Sequence, residues 1–138
     1  MADVFTKEKR SEIMSRVKGK GNKATEQKLI KLFREHSITG WRRNYPLFGK
    51  PDFVFPKKKI AVFVDGEFWH GHPTRAQLPK TNQQFWINKI EKNKKRDRLV
   101  NRTLSGKGWI IVRIWQHELK DSKWLKKIRR GFNKSEQQ

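Results

Sequence analysis

The sequence predicts a single α/β domain over residues 1–138, a mixed β-sheet with helices on both faces in the element order ααβββαβα. Three observations carry this. Two short apolar runs, Phe53-Val54-Phe55 and Ile60-Ala61-Val62-Phe63-Val64, are joined by Pro56-Lys57-Lys58-Lys59, a connection so short that the runs must be antiparallel neighbours. Segments with apolar residues at helical spacing lie before and after that pair. The length of 138 residues suits one hydrophobic core.

The elements follow in order. Residues 1–21 form a basic N-terminal arm, within which residues 6–17 carry Ile13, Met14 and Val17 at helical spacing behind a Thr6 N-cap. Lys18 and Lys20, interleaved with glycines, break that pattern before Asn22. From Ala24 to His36, Leu29, Ile30, Leu32 and Phe33 form an apolar helical face. Glu26 lies in the first turn, where a carboxylate either complements the helix dipole or serves a site. Residues 41–45 read as a short strand, after which Pro46 and Gly49 turn the chain. The unbroken hydrophobicity of residues 60–64 marks a central strand buried on both sides. Thr81 to Gln84 has the pattern of a capping box and opens a long helix reaching about Leu104. Residues 109–115 are a further buried strand. A last basic helix starts near Asp121 or Ser122 and runs to Arg130, with Gly131 as its stop and residues 133–138 as a disordered tail.

Charge narrows the function. There are 34 Lys and Arg against 13 Asp and Glu, a formal net charge of +21, which points to a polyanionic partner. Nucleic acid is the commonest such partner and a membrane surface the main rival. No apolar run approaches the ~18 residues that cross a bilayer, and the N-terminus lacks the apolar core of a signal peptide. A cytoplasmic, nucleoid-associated location without membrane contact is therefore expected. The absence of cysteine removes disulfides, thiolate nucleophiles and cysteine-built zinc sites, so structural zinc is not expected.

The acids are placed unevenly. Between His36 and Ile90 only Asp52, Asp65 and Glu67 occur, each at the edge of an apolar run. Hairpin geometry brings Asp52 and Asp65 to the same end, with Glu67 close behind. Carboxylates gathered in a basic protein suit a hard divalent cation, magnesium with manganese able to substitute, held where phosphates arrive. His70 can act as general acid or base near neutral pH. Phe68 and Trp69 in a glycine-flanked loop either cap the core or stack on bases. In the arm, Met14 and Val17 are available as wedges, with Arg16, Lys18 and Lys20 as phosphate contacts. Pro51-Asp52 or Asp65-Gly66 alone is a common turn pair; the combination is what points to a metal.

These residues also carry a resemblance. Pro51-Asp52-Phe53-Val54, followed by Val62-Phe63-Val64-Asp65-Gly66-Glu67-Phe68-Trp69-His70-Gly71-His72, resembles the very-short-patch repair (Vsr) DNA mismatch endonucleases. Arg10 to Met14, Phe85-Trp86-Ile87-Asn88-Lys89-Ile90, Asn93 to Arg98 and Gly108-Trp109 add to it. The resemblance implies a restriction-endonuclease-like fold of the PD-(D/E)XK type and a magnesium-dependent nick in double-stranded DNA beside a thymine mispaired with guanine. It implies Asp52 and the main-chain carbonyl of Val64 as metal ligands, His70 as catalytic histidine and Glu26 as support. It assigns Phe68, Trp69 and Trp86 to wedging into the duplex, with Met14 entering from the opposite groove. Two departures stand out. Repair-type members usually carry histidine where this chain has Asp65, which makes the metal site more acidic, with Asp65 as a catalytic carboxylate that binds the cation directly or holds a water. They also carry a cysteine-rich zinc site, where this chain has Glu67, Pro73 and His117 and keeps His72 and Asp97; Glu67, His72 and His117 would form a vestigial zinc corner.

Three functions are thus expected in order: a nuclease nicking T:G mismatches as a monomer on duplex DNA; a restriction-type or defence nuclease cutting matched duplex; and a non-catalytic basic nucleic-acid-binding protein. The sequence names no protein partner.

Overall fold

The computed structural model describes residues 23–66 and 79–137. The N-terminal arm, the helix expected at residues 6–17 and the loop of residues 67–78 lie outside these.

Helix α1 spans Lys23–Glu35, with Glu26 in its first turn and Arg34 in its last, charges that complement the helix ends. Leu29 and Phe33, four apart, are fully buried. Glu26 stands three before Leu29 and seven before Phe33, so helical periodicity places a carboxylate on the core-facing side, where it is 8% exposed.

Strands β1 (Phe53–Phe55) and β2 (Ile60–Asp65) pair antiparallel as the short connection dictates, with Phe53 opposite Val62 and Phe55 opposite Ile60. β3 (Ile110–Trp115) pairs parallel with β2, giving a mixed three-stranded sheet in the order β1-β2-β3. The parallel pairing requires a crossover, supplied by helix α2 (Gln83–Gly106). A 3-10 turn, Gln116–Lys120, follows β3 and leads to helix α3 (Lys123–Glu136), whose first turn is capped by Asp121 Oδ1 accepting from the Lys123 N–H at 2.8 Å.

Helices cover both faces. On one, α1 and α3 enclose Leu29, Phe33, Phe53, Phe55, Val62, Val112, Ile114, Trp124 and Ile128. On the other, α2 presents Val100 and Leu104 to Val54, Ala61 and Phe63. This alternation follows the period of two along β2.

The outer edge of β3 is closed by an ion pair between the buried Glu118 and the half-buried Lys127. Glu118, 5% exposed, accepts from the Trp115 N–H at 2.7 Å and from Lys127 Nζ at 2.7 Å. Lys127 Nζ also donates to the Arg113 carbonyl at 3.0 Å. Two main-chain groups that a further strand would use are thereby satisfied.

Four sequence expectations change. Residues 41–45 are not a strand: Arg42 alone bridges Val54, and Asn44 at φ 53° turns the chain out of the extended region. The capping box at Thr81 to Gln84 is absent: the N-cap is Asn82, without a side-chain cap, because Gln84 Nε2 reaches forward to Asn88 Oδ1 at 2.9 Å. Gly131 does not end α3 but lies buried inside it, where a Cβ would come 2.9 Å from Val112 Cγ2; its role is close helix-to-strand approach. Residues 133–136 continue that helix instead of forming a tail, tied down by Ser135 Oγ donating to the Lys58 carbonyl at 2.8 Å. Among the described residues no helix is long and apolar enough to cross a membrane.

Candidate active site

At the end of the sheet where β1 begins and β2 finishes, a cleft of ≈ 210 Å³ is lined by Glu26, Asn44, Tyr45, Pro46, Leu47, Lys50, Pro51 and Asp52. Two carboxylates far apart in sequence therefore meet in one depression. Glu26 arrives on the inner face of α1 and is held by Arg43 Nη2 at 2.5 Å. Asp52 arrives just before β1, and its Oδ2 accepts from the Val64 N–H at 2.7 Å.

Local sequence explains the second placement. The regular β1–β2 ladder ends at Phe53 opposite Val62, and the Asp52 N–H donates to that same Val62 carbonyl at 3.0 Å, so the pairing is offset by one residue at Asp52. Pro51, just before that offset, has no N–H and offers β2 no main-chain donor. The Val64 N–H, beyond the last ladder pair, donates to the Asp52 carboxylate. In a strand, a residue's N–H and C=O project from the same edge. The Val64 carbonyl thus faces the Asp52 side, with no amide hydrogen on Pro51 to meet it.

The loop forming the cleft wall is held in an uncommon backbone state. Asn44, Gly49 and Lys50 have φ of 53°, 83° and 51°. Glycine is required at position 49 on two counts: positive φ, and a Cβ that would lie 2.5 Å from Val100 Cγ1 on α2. Backbone held in sparsely populated regions persists where surrounding structure fixes it, and such residues cluster at functional sites.

Asp65 goes elsewhere. It follows Val64, so its side chain projects to the opposite, α2-covered face. There both oxygens accept from Arg113 Nη1, at 3.0 and 3.2 Å. The hairpin brings the two aspartates to one end of the sheet, but their carboxylates have different partners. Among the described residues no three His, Cys, Asp or Glu side chains converge as a metal cluster.

Trp86 is buried on α2 with its ring 4.9 Å from that of Phe85, which is 56% exposed. His117 sits half-buried on the 3-10 turn. Met14, Arg16, Lys18, Lys20, Glu67, Phe68, Trp69, His70, His72 and Pro73 lie outside the described residues. Sequence reasoning overlooked Lys50, Arg43 and Arg113. Lys50 adjoins Pro51-Asp52, and Arg113 is the one charge within the apolar run of β3, a signal that was there to be weighed.

An α/β domain that gathers carboxylates and a lysine at the end of a mixed sheet, in a chain of net charge +21, is suited to phosphate chemistry on a polyanion. The relatives make this specific. Residues 2–76 match the DNA mismatch endonuclease Vsr family. The chain is 42% identical over 120 residues to the type II nicking enzyme V.NmeDIP of Neisseria meningitidis serogroup C, covering 85% of this chain and 80% of that one. It is 40% identical to V.XorIIP of Xanthomonas oryzae pv. oryzae over 88% of this chain and 89% of that one. It is 33% identical to the DNA mismatch endonuclease Vsr of Escherichia coli K12, over 87% and 77% of the two chains. The chain belongs to the Vsr family and is a DNA endonuclease.

Proposed function

We propose that this endonuclease nicks double-stranded DNA at T:G mismatches, with a divalent cation, magnesium or manganese, held by Asp52 and the Val64 carbonyl and with Glu26 supporting it. The observation that carries the reading is the cleft in which Glu26 and Asp52 meet. Its donors are all hard oxygens, the set magnesium takes. Its ≈ 210 Å³ also leaves room for a cation keeping several waters, at roughly 30 Å³ each. Such a cation, when bound, supplies charge to the scissile phosphate and lowers the pKa of a water.

The chain's own residues do the rest. Lys50 lies in the same cleft and offers an ammonium to the incoming phosphate backbone. Arg43 fixes the rotamer of Glu26, and the Val64 N–H fixes that of Asp52, so neither carboxylate must reorganise when DNA arrives. His70, assigned from sequence, exchanges the proton, and Phe68 and Trp69 with Met14 open the duplex at the mismatch; Trp86, 4% exposed in the free chain, has to leave its buried place to join them. The restriction-endonuclease-like reading of the fold is supported by the central antiparallel hairpin continued by a parallel strand. Glu67, His72 and His117 remain a proposed metal corner, testable by zinc content of the purified protein.

A second reading has one specific observation in its favour. The relatives V.NmeDIP and V.XorIIP are named type II nicking enzymes, which suits a nuclease serving particular recognition sequences. Nicking assays on T:G and matched duplexes of the same sequence, run side by side with magnesium, decide between them. Selective nicking of the T:G strand is expected; equal cutting of both substrates sinks the mismatch assignment. Asp52→Ala should lower the nicking rate by about a hundred- to a thousandfold while retaining DNA binding, since an electrostatic contribution to the transition state is lost. The third expectation, a non-catalytic binding protein, is set aside by membership of an endonuclease family.

A further inference from the structure

We propose that Arg113 is a positioning residue of the endonuclease site, acting through Asp65, and that Asp65 anchors the end of β2 instead of ligating the cation. This rests on the preceding reading that Asp52 and the Val64 carbonyl hold the metal.

Arg113 interrupts a strand otherwise made of Ile, Val and Trp, and its side chain is only 19% exposed. A guanidinium in such a place must find partners for its donors. It finds them on two elements. Nη1 donates to both oxygens of Asp65 on β2 at 3.0 and 3.2 Å, and lies 3.6 Å from Asp97 Oδ1 on α2. Nε donates to Asn101 Oδ1, also on α2, at 2.8 Å. Its Cζ lies over the Phe63 ring, 4.2 Å from the centroid, so a cation–π contact adds to the polar ones. No ammonium could do this, because its donors do not radiate in a plane.

The geometry separates the two aspartates. The guanidinium occupies the carboxylate edge of Asp65 that a cation would need, and the Asp65 side chain is itself 8% exposed. Drawing Asp65 to a metal would strip Arg113 of its closest carboxylate and leave a charge poorly matched inside the protein.

What the pair does for the site follows from the planarity of the peptide bond. The Val64 carbonyl and the Asp65 nitrogen belong to one rigid unit. One side of that segment is tied by the Val64 N–H on Asp52 Oδ2 at 2.7 Å. The other side is tied by the Asp65 carboxylate on Arg113. Two opposed tethers aim the Val64 carbonyl, and α2, through Asp97 and Asn101, braces the second of them.

The test uses full-length protein without DNA, titrated with manganese and read by electron paramagnetic resonance, alongside nicking of a T:G duplex and thermal melting. Arg113→Gln and Asp65→Asn should each weaken manganese binding and kcat by a similar factor, roughly 10–100-fold, with KM for DNA unmoved. The double variant should be no worse than either single one, because the two residues act as one unit. Arg113→Lys, which keeps the charge and guards against a misfolded glutamine variant, should recover only part of the loss. The proposal is overturned if Asp65→Asn abolishes manganese binding while Arg113→Gln changes it by less than about twofold, if the single losses multiply in the double variant, or if every loss merely tracks unfolding in the melts. Asp52→Ala separates the two layers: manganese binding that survives it defeats the cation site itself, whatever the Arg113 cycle shows.

Discussion

The face of the sheet under α1 and α3 is packed with rings, whereas the face under α2 is thin and carries charge. On the first, Phe33 contacts Trp41, Phe53, Phe55 and Trp124 at ring-centroid distances of 5.5–6.0 Å, and its pairs with Phe53 and Phe55 are edge-on. On the second, the buried apolar cluster is Val54, Ala61, Phe63, Val100 and Leu104, and the Arg113–Asp65 pair takes the space beside it. Stability and chemistry are thus divided between faces. The ring-packed face sets α1, and hence Glu26, against the sheet. The α2 face restrains the parts of the site that must be aimed: it braces Asp65 through Arg113 and presses on the cleft loop at Gly49.

That division can be broken by substitution. Phe33→Ala should cost about 3–5 kcal/mol in denaturant unfolding, as a large ring leaves a cavity that its neighbours cannot fill. Leu104→Ala on the α2 face should cost less, about 2–3 kcal/mol; equal losses would mean that the faces bear the fold alike. Gly49→Ala should destabilise by about 1–3 kcal/mol, from positive φ and contact with Val100. Its nicking rate should fall further than its stability explains, since the loop carries Lys50 and leads into Asp52. A melting loss without a kinetic one would detach the cleft loop from the α2 brace. Smallest is Gly131→Ala, about 1 kcal/mol by thermal melting, where improved helix propensity partly offsets crowding against Val112.

The sequence showed the faces unequally too. Helical and alternating periodicities locate α1, the β1–β2 hairpin, α2 and β3, because burial of an amphipathic stripe leaves a direct trace in residue order. The meeting of Asp52 and Asp65 at one end was legible from a four-residue connection, but the direction of each side chain was not. That depended on the one-residue offset at Asp52, which sets its carboxylate on the Val64 N–H, and on Arg113, 48 residues beyond Asp65, offering a guanidinium. Gly131 misled for a related reason. A glycine near a basic helix end fits a stop signal, and only the position of Val112 shows that it serves close approach.

The capped edge of β3 has a bearing on how copies of the chain meet. An open strand edge is a template on which a second chain can add a strand. At β3, Glu118 and Lys127 already occupy the Trp115 amide and the Arg113 carbonyl. At the other edge, β1 is three residues long, set between Pro51 and Pro56, with Val54 already bridged to Arg42. Strand-to-strand polymerisation is therefore discouraged from both sides of the sheet.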